Sequence, residues 1–213
     1  MRPKLRTRVI VERTPPPRPI TIDEYYDMDR TGQLEPDARV ELIEGEVVHM
    51  PPIGSRHGSI TEFLDHLLHD ALADRTRVRN QLPVRLDNLS EPVPDVAVVK
   101  PRADRYSRSH PTPPEVLLIV EVSHSTLRDD INVKVPLYAR HGIPEVWVVD
   151  LKNGLLRTYR SPSKGSYRDT TSTATPGKTS IPGVPDVTVD LSELLTDPPW
   201  SAAAEANTKL LRQ

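Results

Sequence analysis

No cysteine occurs among the 213 residues. That excludes disulfide staples and thiolate metal centres, so any metal must be held by oxygen or nitrogen. It also suits a reducing compartment, and a cytoplasmic location is the expectation. Aromatic residues make up 4%, with a single phenylalanine, which leaves little material for a platform of stacked bases. Neither sign of charge prevails: 28 Lys+Arg against 30 Asp+Glu give a net −2. Overall charge therefore announces no nucleic-acid binder, although a cleft can be basic locally. No apolar run nears the roughly 18 residues that a membrane helix needs. The basic N-terminus lacks the apolar stretch of a secretory signal.

What the sequence has in excess is proline, 23 residues, about twice the usual share. Residues 1–19 carry Arg2, Lys4, Arg6, Arg8, Arg13 and Arg18 with the run Pro15-Pro16-Pro17, and read as a flexible, extended basic arm. Residues 20–197 read as one domain, and 198–213 as a loose tail. Thr21-Ile22-Asp23-Glu24 is a capping box, so a short helix starts there and ends before Gly32. Residues 39–50, RVELIEGEVVHM, read as a hairpin turning at Glu44-Gly45. Glu41 then lies on a strand within an apolar segment. Ser55 is a candidate N-cap for a helix whose Ile60, Leu64, Leu67, Leu68 and Leu72 form one apolar stripe. His57 sits in its first turn.

Residues 78–86 are a strand candidate, with Pro83 pointing to an edge or a bend. Asp95 opens a short apolar strand, Val96 to Val99. Lys100 to Pro114 is a long polar loop carrying Arg102, Arg105 and Arg108, which suit phosphate. From Val116 a buried strand leads to Glu121, a helical pattern runs from about Asp129 to His141, Gly142 stops it, and Glu145 to Leu151 is a further strand. This β-α-β unit makes neighbouring parallel strands. Lys134 and Tyr138 share a face of its helix, and Pro136 predicts a local bend. Beyond Asn153-Gly154, a hairpin turn, the pattern weakens. Residues 161–178 leave room for one edge strand near Tyr167, and 185–195 for a last short strand and a turn of helix.

If the strands that follow Asp95 and precede Glu121 are antiparallel neighbours, the two carboxylates meet at one edge of the sheet. Converging carboxylates repel unless a cation sits between them. Oxygen donors without cysteine or paired histidines favour Mg²⁺ or Mn²⁺ over Zn²⁺. Such an ion polarises a phosphoryl oxygen, and a nearby lysine offsets developing charge. Taken singly, each residue has an ordinary explanation: Asp95 caps a turn, Glu121 pairs with an arginine, Lys134 is an exposed helix residue. Their joint placement on one sheet-and-helix unit is what points to a site.

Pro94-Asp95, Glu121-Val122-Ser123, Ser125-Thr126, Asp130, Lys134, Tyr138, Gly142-Ile143, Glu145-Val146-Trp147 and Asp150 resemble the Uma-two family. These are restriction-endonuclease-like proteins of the PD-(D/E)-x-K nuclease superfamily. Glu41 to Glu46 and His57 fit the same pattern. The resemblance implies an α/β fold: a restriction-endonuclease-like core with a central mixed β-sheet flanked by helices, an N-terminal hairpin and extra C-terminal strands. It implies a Mg²⁺- or Mn²⁺-dependent endonuclease acting on DNA, with Asp95 and Glu121 as metal ligands. The superfamily's usual lysine lies two residues after the second acid, where this chain has Ser123. The family's reading moves that role to Lys134 on the following helix. Glu41 would be an auxiliary acid, with His57, Ser123 and Tyr138 nearby. Partners would be nucleic acid and a second copy in a homodimer, since cutting two strands takes two sites. The alternative is a nucleic-acid-binding or toxin-like module that keeps the fold with little or no cleavage.

Overall fold

The structure is a computed structural model and describes residues 18–196. Most of the proline-rich arm and all of the tail lie outside the described residues. Helix α1 (Ile22–Arg30) starts at the expected capping box: Thr21 accepts from the Glu24 backbone while Glu24 reaches back to the Thr21 N–H. Strands β1 (Val40–Ile43) and β2 (Glu46–His49) form the hairpin, with Glu41 opposite Val48. Its turn needs two left-handed residues, Glu44 (φ 51°) and Gly45 (φ 81°), as the tight hairpin turn of this hand requires. A Cβ on Gly45 would also lie 2.4 Å from Pro19, so the turn closes directly against the entering chain.

Helix α2 (Ser55–Leu72) follows. Its N-cap is Gly54 and not Ser55, and no side chain caps it. The stripe is as expected, with Ile60, Leu64, Leu68 and Leu72 at most 1% exposed. Burying each contributes about 1.5–3 kcal/mol, which supplies the stability that the bare N-terminus does not. Strand β3 (Arg77–Asn80) is shorter than the expected 78–86. Pro83 has no N–H to continue the ladder, and the chain to Asp95 is irregular. Strand β4 (Val96–Val99) and strand β5 (Val116–Ser123) are buried along their whole length.

After β5 come α3 (Leu127–Asp129), a π-type turn (Asp130–Lys134) and α4 (Val135–Arg140). The bend expected from Pro136 takes this form. Pro136 cannot donate to the carbonyl one turn back, and the preceding turn widens so that Val135 N–H reaches the Asp130 carbonyl. Strands β6 (Glu145–Asp150), β7 (Leu155–Ser163) and β8 (Ser166–Thr173) complete a six-stranded sheet in the order β3-β4-β5-β6-β7-β8. Only β5 and β6 are parallel; the other neighbours are antiparallel. Strands β9 (Lys178–Ile181) and β10 (Val184–Asp190) form a separate hairpin. The polar composition of 161–178 hid most of β8, and the four residues KTSI gave no signal for β9.

Alternation along the central strands splits the core in two. Val96, Val98, Val120, Val122 and Trp147 pack toward α2 and the β9–β10 hairpin. Ala97, Ile119, Val146 and Val148 pack toward α4, with Leu137 and Tyr138. The molecule is therefore a mixed sheet flanked by helices. Because β4 and β5 are antiparallel, the start of β4 lies beside the end of β5. The loop 100–115 joins their opposite ends.

Candidate active site

Five elements bring polar side chains to that end of the sheet. Asp95 immediately precedes β4, and Glu121 lies near the end of β5. Glu41 comes from β1, His57 from the first turn of α2, and Lys134 from the π turn. All five line one cleft of about 570 Å³. All but His57 are at most 8% exposed, so their charges are felt in a medium much less polarisable than water.

Lys134 Nζ lies 3.0 Å from Glu41 Oε2 and 3.4 Å from Glu121 Oε1. The Val93 N–H holds the same Glu41 oxygen at 3.0 Å. Tyr138 donates to Glu121 Oε1 at 2.6 Å. Asp95 Oδ2 accepts from the Val122 N–H at 2.8 Å, which locks it to the strand that carries Glu121. His57 Nε2 lies 3.1 Å from Asp95, while His57 Nδ1 is buried without a partner. Ser123 donates to Asp130 Oδ2 at 2.7 Å.

Burial pushes the Glu121 carboxyl well above its ordinary value; Lys134 opposes the shift, and Asp130, Asp95 and Glu41 add to it. Burial likewise raises Asp130, against Lys134, Thr126 and Ser123. For Lys134 burial works against the ammonium, but Glu121, Glu41 and Asp130 outweigh it and its pKa is raised. Burial, then the charge of Glu121, raises the Tyr138 hydroxyl. The floor of the cleft thus gathers more carboxylates than it has cations, which is an arrangement that takes up a positive charge or a proton.

The residues named from sequence do not all converge. Glu41, Asp95, Glu121, Lys134 and His57 do, and Ser123 and Tyr138 stand directly behind them. Arg102, Arg105 and Arg108 do not: none lines the cleft. Their loop starts β5, and five strand steps of roughly 3.4 Å separate Val116 from Glu121, about 17 Å. Arg102 is also committed internally, to Asp104 at 2.6 Å, to Glu115 at 3.1 Å and over the Tyr106 ring at 3.9 Å. The arginines at the cleft are Arg39 and Arg56, and Arg56 is exposed beside His57. His141, at the end of the same helical pattern, bonds Asp87 at 3.0 Å and does not line the cleft. Asp130, one of the residues that carry the resemblance, was given no site role, although its position four residues before Lys134 puts it one turn away. Gln81, whose amide lies 3.5 Å from Asp95 Oδ1, carries no signal in the sequence.

No curated protein matches the chain. A solved structure, titled a putative nuclease belonging to DUF820 from Anabaena variabilis, shares the fold with a TM-score of 0.62 at 18% identity. The match covers 83% of this chain and 98% of that one. The model of the Uma2 family, described as "Putative restriction endonuclease", matches residues 22–192, and the chain belongs to that family.

Proposed function

We propose that this protein is a divalent-metal-dependent endonuclease that hydrolyses phosphodiester bonds in DNA. Asp95 and Glu121 hold Mg²⁺ or Mn²⁺, and Lys134 orients water or offsets charge at the scissile phosphate. The observation that carries this reading is the Lys134 ammonium, delivered from the helix after β5 to within 3.4 Å of Glu121 in the cleft that also contains Asp95.

The donors suit such an ion. They are carboxylate oxygens, and Mg²⁺ is commonly bound through one or two carboxylates with water in its remaining positions. Among the described residues no group of three or more His, Cys, Asp or Glu side chains stands ready to hold a metal, so water would complete the coordination of an ion held by Asp95 and Glu121. A divalent cation there supplies Lewis acidity to a phosphoryl oxygen and makes water a better nucleophile.

The chain's own groups do the rest. Lys134 keeps its proton, so it acts as a donor and not as the base that deprotonates water. Its ammonium offsets charge that grows on the phosphoryl oxygens. Glu41 and Glu121 fix that ammonium in place, and Tyr138 fixes the Glu121 carboxylate. The Val122 N–H and His57 orient Asp95. Arg56 at the rim is suited to a flanking phosphate. Cutting both strands takes two sites, which a homodimer would supply.

The test is calorimetry with Mn²⁺ and plasmid cleavage, on wild type and on Asp95→Asn. Wild type is expected to bind the ion and nick plasmid in Mg²⁺ or Mn²⁺ but not in EDTA. The variant should fold, bind the ion more weakly and lose cleavage. Equal affinity in both proteins would remove Asp95 from the ligand set. Plasmid binding without cleavage in any metal would favour the non-cleaving module.

A further inference from the structure

We propose that Ser123 is a positioning residue whose hydroxyl keeps Asp130 from capturing Lys134, so that the ammonium stays between Glu41 and Glu121. This rests on the nuclease reading of the same site and adds a role for the position two residues after Glu121.

Side chains alternate along a strand. Val120 and Val122 pack toward α2, so Glu121 and Ser123 face the π turn and α4. Ser123 is fully buried and donates to Asp130 Oδ2 at 2.7 Å. Asp130 is 4% exposed and opens the π turn that ends at Lys134. The Ser123 hydroxyl therefore occupies one oxygen of a buried carboxylate one turn from a buried ammonium.

The two groups are close enough for Asp130 to act on the charge of Lys134, yet the ion pairs of Lys134 among the described residues are with Glu41 and Glu121. A lysine side chain has several flexible torsions and a compact charge, so its choice among nearby acids is a competition. The acid whose oxygens are already satisfied loses. Removing the Ser123 hydroxyl leaves a buried carboxylate oxygen short of a donor, which is costly. The Lys134 ammonium is the mobile donor nearest along the turn. Its move toward Asp130 would withdraw it from Glu121 and from the space before Asp95. The π turn is the element on which this competition acts, because it carries both partners. A strand position without a lysine thus governs the lysine on the helix.

Three variants decide it: Ser123→Ala, Ser123→Thr, and Ser123→Ala combined with Asp130→Asn. Ser123→Ala is expected to lower single-turnover cleavage on the order of 10- to 100-fold, the scale of misplacing a working group, with KM and Mn²⁺ affinity unchanged. Ser123→Thr keeps the hydroxyl and should restore the rate. The double variant, with the competing charge removed, should recover most of it, which a loss of packing alone would not do. A crystal structure of Ser123→Ala should show Lys134 turned to Asp130. Lys134 unmoved in that structure, or a double variant slower than Ser123→Ala, overturns the proposal. If wild type cleaves nothing, the nuclease reading fails, and the crystal structure still decides the positioning claim.

Discussion

At the residue scale the site is a contest between burial and charge. Glu121 is 3% exposed and has acidic neighbours, so its carboxyl is costly to ionise before a metal ion arrives, even with Lys134 beside it. Glu121→Gln should therefore stabilise the metal-free protein while abolishing metal-dependent cleavage. A gain of roughly 2–4 °C in Tm corresponds to about 1 kcal/mol in a chain of this size. Thermal melts with and without Mn²⁺ check both parts: the wild type should gain Tm with the ion and the variant should not. A metal-free variant that melts lower than wild type would mean that the ion pair with Lys134 outweighs the cost of burial. Asp95, Glu121 and Lys134 were legible from the sequence because each stands at a marked place: the start of a strand, the end of a strand, the next helix. The roles of Asp130 and Gln81 were not: Asp130 depends on a turn whose widening has no local signature beyond Pro136, and Gln81 meets Asp95 only through the fold.

At the element scale the β4–β5 pair decides which segments share the site. Antiparallel pairing brings Asp95 to Glu121 and by the same geometry sends the arginine loop to the far end. That follows from the topology once it is drawn; the loop's composition alone suggested otherwise. Substrate contacts should accordingly depend on the first turn of α2. Arg56→Ala is expected to weaken DNA binding and reduce the salt slope by about one. Replacing Arg105 and Arg108 together should leave the slope unchanged, and titrations at several salt concentrations distinguish the two. Strands β1, β4, β5 and β6 and helix α2 were legible through their periodicity. β8 was expected only as one edge strand near Tyr167, because a strand exposed on most of its length and rich in Ser, Thr and Asp has no apolar alternation to read; β9 was not legible, because its four residues, KTSI, carry one apolar side chain. Their stability comes from pairing with β7 and β10, which only the folded chain supplies.

At the scale of the whole molecule, charge placement matters where net charge says little. The raised pKa of Glu121 makes the folded, metal-free protein hold a proton more tightly than the unfolded chain. Its contribution is full below the ordinary carboxylate value, about 4.3, and is lost as pH rises through the folded value. The raised pKa of Lys134 has the same sign but acts only at alkaline pH. Metal-free stability should thus fall from mildly acid pH toward neutrality, and the Tm gain from Mn²⁺ should grow over the same range as the ion displaces the proton. A gain independent of pH would place the ion away from Glu121. Among the described residues no helix is long and apolar enough to cross a membrane. If Lys134 serves the chemistry from the helix after β5, single-turnover plasmid cleavage at saturating protein and Mn²⁺ should be slower in Lys134→Ala than in wild type by on the order of 100- to 1000-fold. Mn²⁺ and DNA affinity should be retained. An unchanged rate would mean that Lys134 takes no part in the chemistry.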